Sequence, residues 1–146
     1  MDIIDYQILD ILKKNSRSTA SEISKQVHLS LPAVSERIKK MEENNIIEKY
    51  SILLNRKEMN YNVLAFIHIS IDGSENIEEF RKLICYYPFV LECHHITGDY
   101  DYLLKVLTKD IEELEIFLSS QLKKIKGIVK SNTAISLASL KEEINV

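Results

Sequence analysis

The sequence predicts an α+β protein, with an N-terminal winged-type helix-turn-helix domain followed by a ferredoxin-like βαββαβ domain. Three observations support this. Residues 2–45 hold three stretches with apolar residues at helical spacing, each opened by a residue able to cap a helix. From Val63 onward the pattern changes to strand, helix, strand, strand, helix, strand. Between the two lies NRKEMNYN, a polar connector. The expected divisions are therefore 1–54, 55–62 and 63–146.

In the first part, Asp2 caps a helix running to about Asn15, with Ile4, Ile8, Ile11 and Leu12 as its buried stripe. Lys13 and Lys14 fall in the last turn, where cations suit the helix dipole. Thr19 opens the second helix with Glu22 three positions on, the capping-box spacing. Ala20, Ile23 and Val27 give it one apolar stripe, and His28 and Leu29 end it. Ser30 caps the third helix, and Pro32 occupies its first turn, where a missing N–H costs nothing. Val34, Ile38 and Met41 are its inner face. Asn44 and Asn45 end it, since asparagine tolerates the left-handed conformation. Ile46, Ile47, Tyr50, Ile52, Leu53 and Leu54 then read as a short strand. Three helices in about 45 residues make a small core, marginal by itself.

In the second part, residues 63–71 (VLAFIHISI) form a strand with Leu64, Phe66, His68 and Ser70 on one face. A helix follows from Ser74 or Asn76 through Tyr87, with Ile77, Phe80, Leu83 and Ile84 inward, until Pro88 breaks it. Phe89–Thr97 is the second strand, Gly98–Asp101 a hairpin turn, and Tyr102–Thr108 the third strand. Asp110 caps a helix through Lys124, with Ile111, Leu114, Phe117, Leu118 and Leu122 inward. Gly127 stops it. Ile128–Leu137 is the fourth strand, and Leu140–Ile144 a short helical or extended tail. Two helices then cover one face of a four-stranded antiparallel sheet. The other face stays bare and partly apolar, which predicts association with a second copy.

The outward face of the third helix points to a partner. Pro32, Glu36, Lys39, Lys40 and Glu43 lie opposite Val34, Ile38 and Met41, flanked by Ala33 and Ser35. Small residues at the N-terminal end allow close approach to a surface, and lysines further along suit phosphates. This is the layout of a helix that enters the DNA major groove. An ordinary helical hairpin with a solvated face has the same residue types. The net charge of −3 argues against DNA, but its distribution does not. Residues 13–40 carry seven basic residues against two acidic ones, a local electrostatic footprint. Residues 61–146 carry nine against thirteen and should face away from DNA.

Composition bounds the rest. Hydrophobic content of 45% and charged content of 28% are those of a globular protein. No apolar run approaches the roughly 18 residues of a membrane span. The opening MDIIDYQ lacks the regions of a signal peptide, so a cytoplasmic location is expected. Cys85 and Cys93 then read as reduced, small core residues. No cofactor is expected.

Several stretches carry a resemblance. IIDYQILDILKKNSR, SEISKQVHLSLPAVSERIKKME, IIEKY and TGDYDYLLKV occur in an order and spacing that resemble the Lrp/AsnC family of feast/famine transcriptional regulators, over nearly the whole chain. The resemblance implies a dimer built on the C-terminal sheets, often assembled further into tetramers or octamers. It also implies DNA binding modulated by a small effector, usually an amino acid, near the TGDYD turn. Ser30, Pro32, Ala33, Ser35, Glu36 and Arg37 match the family's DNA-reading segment, and Gly98, Asp99, Tyr100 and Asp101 its effector turn. Asn44-Asn45 stands where the family often has a glycine, and asparagine can adopt the same angles.

On this reading Lys39 and Lys40, joined by Lys25, attract phosphates. Ser35 and Glu36 contact bases, Glu36 accepting from a cytosine amino group. For Arg37, an intradomain salt bridge and a DNA contact both stand open. At the turn, Asp99 or Asp101 would pair with an α-amino group and backbone N–H groups around Gly98 with a carboxylate, although the same residues also make a plain hairpin. Thr133 and Ser136 on the last strand are further effector candidates. Two rival readings are a metal-responsive regulator using Cys93 and His95, and an enzyme like the sirohaem decarboxylases, which resemble this family in fold. Against the first, His94 faces away from Cys93 and His95 on a strand, and nothing near supplies a third ligand beyond Cys85. Against the second, the C-terminal half is acidic, while that substrate is rich in carboxylates.

Overall fold

The computed structural model describes residues 1–143 and 145, and has two compact units, one built on Met1–Leu53 and one on Leu54–Glu142. In the first, α1 spans Ile3–Lys14, α2 Ala20–Val27 and α3 Leu31–Glu43. Each begins where a side chain accepts an otherwise unpaired backbone N–H. Asp2 and Asp5 form a reciprocal capping box, as do Thr19 and Glu22, and Ser30 accepts from the Ala33 N–H. His28 at φ 55° ends α2, and Asn45 at φ 54° follows α3, both in the left-handed region. Ile8, Ile23 and Val34 are fully buried, with Leu12, Val27 and Met41 around them.

The segment after α3 departs from expectation. Residues 46–54 form no strand. A strand needs a neighbour for its backbone hydrogen bonds, and no strand among the described residues pairs with this one. The segment is tied down instead by the Tyr50 hydroxyl, which donates to Glu42 at 2.8 Å, and by the Ser16 hydroxyl, which donates to the Ser51 carbonyl. Burial, and then the Glu42 carboxylate, push the Tyr50 phenol up to about 12. Ile52, Leu53 and Leu54 stay 71, 80 and 59% exposed.

The second unit contains β1 (Val63–Ile71), a 3₁₀ turn (Ser74–Asn76) running into α4 (Ile77–Tyr86), β2 (Val90–His95), β3 (Tyr102–Thr108), α5 (Ile111–Ile116) and β4 (Ile128–Ile135). After α5 the chain stays helical through a π segment, Phe117–Gln121, and a 3₁₀ turn, Leu122–Lys124. The sheet order is β2-β3-β1-β4, every pair antiparallel, which is the ferredoxin-like arrangement. Ala65, Ile67 and Ile69 on β1 and Leu104 and Val106 on β3 pack against Phe80, Ile84, Leu114, Phe117 and Leu122. Leu64, Phe66, His68 and Ser70 occupy the opposite face, as period-2 alternation requires.

Leu83 remains 40% exposed and Ile111 56%, although both belong to the expected inner stripes. Leu83 borders a cleft of about 290 Å³ between α4 and the helical stretch ending at Lys124, which no side chain fills. Ile111 lies in the first turn, ahead of the residues that reach the sheet. Gly127 has φ 91°, and a Cβ there would come within 2.6 Å of the Asn76 Cβ, so the site requires glycine. β2 and β4 are shorter than expected, and the stretch after Ser136 has no regular structure through Glu143. Part of the expected tail, at Ile144, lies outside the described residues.

Candidate nucleic-acid interface and effector loop

Because Ile8, Ile23 and Val34 fix how the three helices pack, they also fix which face of α3 is presented. Ser30, Pro32, Ser35, Glu36, Lys39 and Lys40 are exposed, and Ala33 is half-buried. Among the described residues the exposed lysines pair along the helix, Lys40 with Glu36 at 3.5 Å and Lys39 with Glu43 at 3.6 Å, with all four side chains more than half exposed. Arg37 is different. Its guanidinium donates to Asp2 at 2.8 Å and to Asp5 at 2.6 Å, tying α3 to the start of α1. Arg37 thus serves the intradomain salt bridge. Its partners are the capping-box acids of α1, whose spacing in the sequence signals a cap but not a distant cation.

The Asp5 carboxyl lies below the usual carboxylate range, first because the Asp2 N–H donates to it and next because Arg37 does. A lowered folded-state value contributes stability that is present above the unfolded value and lost as pH falls through the lowered one. Asp5→Asn should therefore lower the thermal midpoint at neutral pH, and the two proteins should converge well below pH 3.8, the ordinary aspartate value. A difference that does not change with pH in thermal unfolding scans would refute the charge contribution.

In the second unit, the stretch from Ile96 to Asp101 is a six-residue loop rather than a tight hairpin turn. The Ile96 N–H donates to the Asp101 carbonyl, the Asp101 N–H to the Ile69 carbonyl, and the Ile71 N–H to the Asp101 carboxylate at 2.8 Å. Asp101 is thus committed to anchoring the loop on β1. Gly98 has φ 116°, and a Cβ added there would meet nothing within 4 Å, so its glycine serves backbone angle rather than space. Asp99 is exposed, and its carbonyl accepts from the Ser70 hydroxyl. Tyr100 folds onto the open sheet face, 5.2 Å from the His68 ring and 4.6 Å from the Lys130 ammonium. Neither His68 nor Lys130 stands out in the sequence, although strand alternation and the pairing of Ser70 with Lys130 bring both to this face.

Thr133 and Ser136 do not join this loop within one chain. Thr133 pairs with Ile67, on the helix-covered side, and the Ser136 N–H bonds to the Leu64 carbonyl, at the far end of β1. Ser70 and Leu64 are six residues apart on one strand, about 20 Å. On β2 and β3 the open face carries Glu92, held by His94 at 3.0 Å and Lys105 at 3.1 Å, and its carboxyl is lowered by those two partners, His94 first. His95 stacks on Tyr102 at 5.0 Å on the other side. Among the described residues, no group of three or more His, Cys, Asp or Glu is arranged to hold a metal. No helix among them is long and apolar enough to cross a membrane.

Comparison with known proteins agrees with both halves of this geometry. Residues 64–146 match the Lrp/AsnC ligand binding domain, and residues 1–48 match a winged helix-turn-helix DNA-binding domain. The transcriptional regulator FL11 of Pyrococcus furiosus is 37% identical over 142 residues, covering 97% of this chain and 93% of its own length. LrpB of Bacillus subtilis is 37% identical over 123 residues, 84% of this chain and 82% of its own. Among solved structures, the transcriptional regulator NMB0573 of Neisseria meningitidis, in complex with L-Met, superposes with a TM-score of 0.97 at 30% identity, covering 100% of this chain and 96% of that one. A capped three-helix unit matching a winged helix-turn-helix domain, joined to a ferredoxin-like unit matching the family's ligand binding domain, places this chain in the Lrp/AsnC family of DNA-binding transcriptional regulators.

Proposed function

We propose that this chain is a cytoplasmic, non-enzymatic regulator whose DNA affinity or assembly responds to an amino acid. The observation that carries the effector class is the full-length similarity to NMB0573, a regulator solved with L-Met. Two features of the loop support it. Its exposed Asp99 offers a carboxylate to an α-amino group, and the N–H groups around Gly98 are available to a carboxylate. Asp101 supports the site from beneath, through Ile71, rather than by direct contact. Thr133 and Ser136 would enter such a site only if a second copy supplied them.

The working form is a homodimer built over the open sheet face, assembling further to a tetramer or octamer. Phe66, Leu103 and Leu107, half-buried on that face, favour a partner surface of the same kind. The protein then presents two α3 helices to successive major grooves of double-stranded DNA. Ser30, Pro32 and Ala33 allow close approach, Ser35 and Glu36 read base edges, and Lys39 and Lys40 hold phosphates. Arg37 acts indirectly, by holding α3 on α1. Residues 1–54 form the DNA-binding part, 55–62 the connector, and 63–146 the effector and assembly part.

Calorimetry against the twenty amino acids, paired with light scattering, tests this reading. One or a few should give heat and shift the scattering mass, and no heat from any would overturn the effector class. Asp101→Ala should weaken effector binding by about tenfold or more, because it strands the Ile71 N–H and frees the loop. Its effector-free gel shift should match the parent, and an unchanged effector affinity would remove Asp101 from the site.

A further inference from the structure

Cys85 lies in the last turn of α4, and Cys93 on β2, an edge strand of the sheet in contact with that helix. Cys93 pairs with Leu104, a fully buried residue of the helix-covered face, so its thiol points to the same side. Cys93 is half-buried against the core, whereas Cys85 is exposed. Cys85 and Cys93 lie on opposite sides of the α4–β2 contact, with Cys85 one turn after Arg81 on the same face of α4. Arg81 reaches the same end of β2, where Tyr102 pairs with His95, two residues past Cys93. Its guanidinium is fixed there, donating from Nε to the Tyr102 hydroxyl at 2.9 Å and lying 5.7 Å from the centre of that ring. An exposed thiol with a second cysteine across the same helix–strand contact is a setting in which cysteines oxidise selectively. Neither DNA binding nor the effector loop uses this pair.

We infer that Cys85 and Cys93 form a redox-responsive dithiol that closes to an intramolecular disulfide on exposure to a hydroperoxide. Cys85 sulfur attacks the peroxide, forming an S–O bond as the O–O bond breaks. The leaving oxygen takes up the Cys85 proton and departs as water when the oxidant is hydrogen peroxide. Cys93 sulfur then attacks Cys85 sulfur, the S–S bond forms, the S–O bond breaks, and the second oxygen leaves as water with the Cys93 proton. Two thiols lose two electrons and one peroxide is reduced to two waters. Burial shields the Cys93 thiol and pushes it up, which leaves the exposed Cys85 to meet the peroxide first. The new bond fastens the end of α4 to β2, the strand that runs directly into the loop from Ile96 to Asp101.

The full chain, fully reduced and then treated with hydrogen peroxide, tests this. Intact mass should fall by about 2 Da and return with dithiothreitol, and digestion should yield one peptide pair linked through Cys85 and Cys93. Cys93→Ser should instead gain about 16 Da at Cys85, the trapped sulfenic acid, and Cys85→Ser should form no intramolecular bond. Amide exchange across Val90–His95 should slow by about tenfold in the oxidised protein. Wild-type protein that gains only oxygen, links only between chains, or keeps both thiols under peroxide would overturn the proposal without need of any variant.

Discussion

A Lys39→Gln/Lys40→Gln variant should lose about 100-fold or more in operator affinity at moderate salt, and lose it evenly across DNA sequences. Among the described residues these lysines make exposed contacts along their own helix, to Glu43 and Glu36. Pairs of that kind contribute about 0.3–0.5 kcal/mol, so the variant should keep its fold and helix content. In the proposed interface each lysine displaces condensed counterions. For a dimer neutralising about 6–8 phosphates, log K should fall with log salt at a slope of about −5 to −7. Removing four lysines from the dimer should reduce that slope by about 3 to 4. A gel-shift salt series checks both numbers. Parent and variant with the same slope would mean that this face of α3 does not meet phosphate, and the assigned interface would fall with it. Glu36→Gln is the complementary probe, since a base-reading carboxylate should change which sequences bind more than how salt affects them.

Phe80→Ala should cost about 3–5 kcal/mol of stability in the second unit, a large share of the roughly 5–15 kcal/mol typical of a domain. Phe80 is fully buried at the middle of α4, with its ring 4.8 Å from that of Tyr102. It faces β1 and β3, the two central strands, so neighbouring side chains have little freedom to close the cavity. Urea unfolding should show an earlier midpoint for this unit, with assembly failing before DNA contact is lost in the first unit. A loss under about 1.5 kcal/mol would mean that the core is not centred here. Leu83→Ala, at the open cleft a turn away, should cost far less, since that side chain is 40% exposed.

The two variants probe features that are legible in the sequence to different degrees. The face carrying Lys39 and Lys40 can be read from residue spacing, because a helix repeats every 3.6 residues and Val34 and Met41 mark the side that must be buried. The caps at Asp2, Thr19, Ser30 and Asp110 are equally legible, since each acts on a backbone group three residues away. Arg37 is not. Its partners lie 32 and 35 residues away, and nothing local distinguishes a cation aimed at DNA from one aimed at α1. The loop after β2 is opaque for a similar reason. Gly98 and its neighbours suit a tight turn, but Asp101 is claimed by β1, thirty residues earlier, and the turn opens into a loop. Residues 46–54 have the apolar content of a strand without a neighbour to pair with.

The sequence by itself determined the order of elements, the two-part division of chemistry and the family, because those depend on periodicity and on contacts a few residues apart. Only the tertiary structure decided that Arg37 braces α3, that Asp101 anchors its loop, that Thr133 and Ser136 lie apart from that loop, and that the two cysteines fall on one helix–strand contact. The first depends on how three helices pack; the others depend on which strand lies beside which and in what register, and register is set by the packing of the whole sheet rather than by any residue's immediate neighbours.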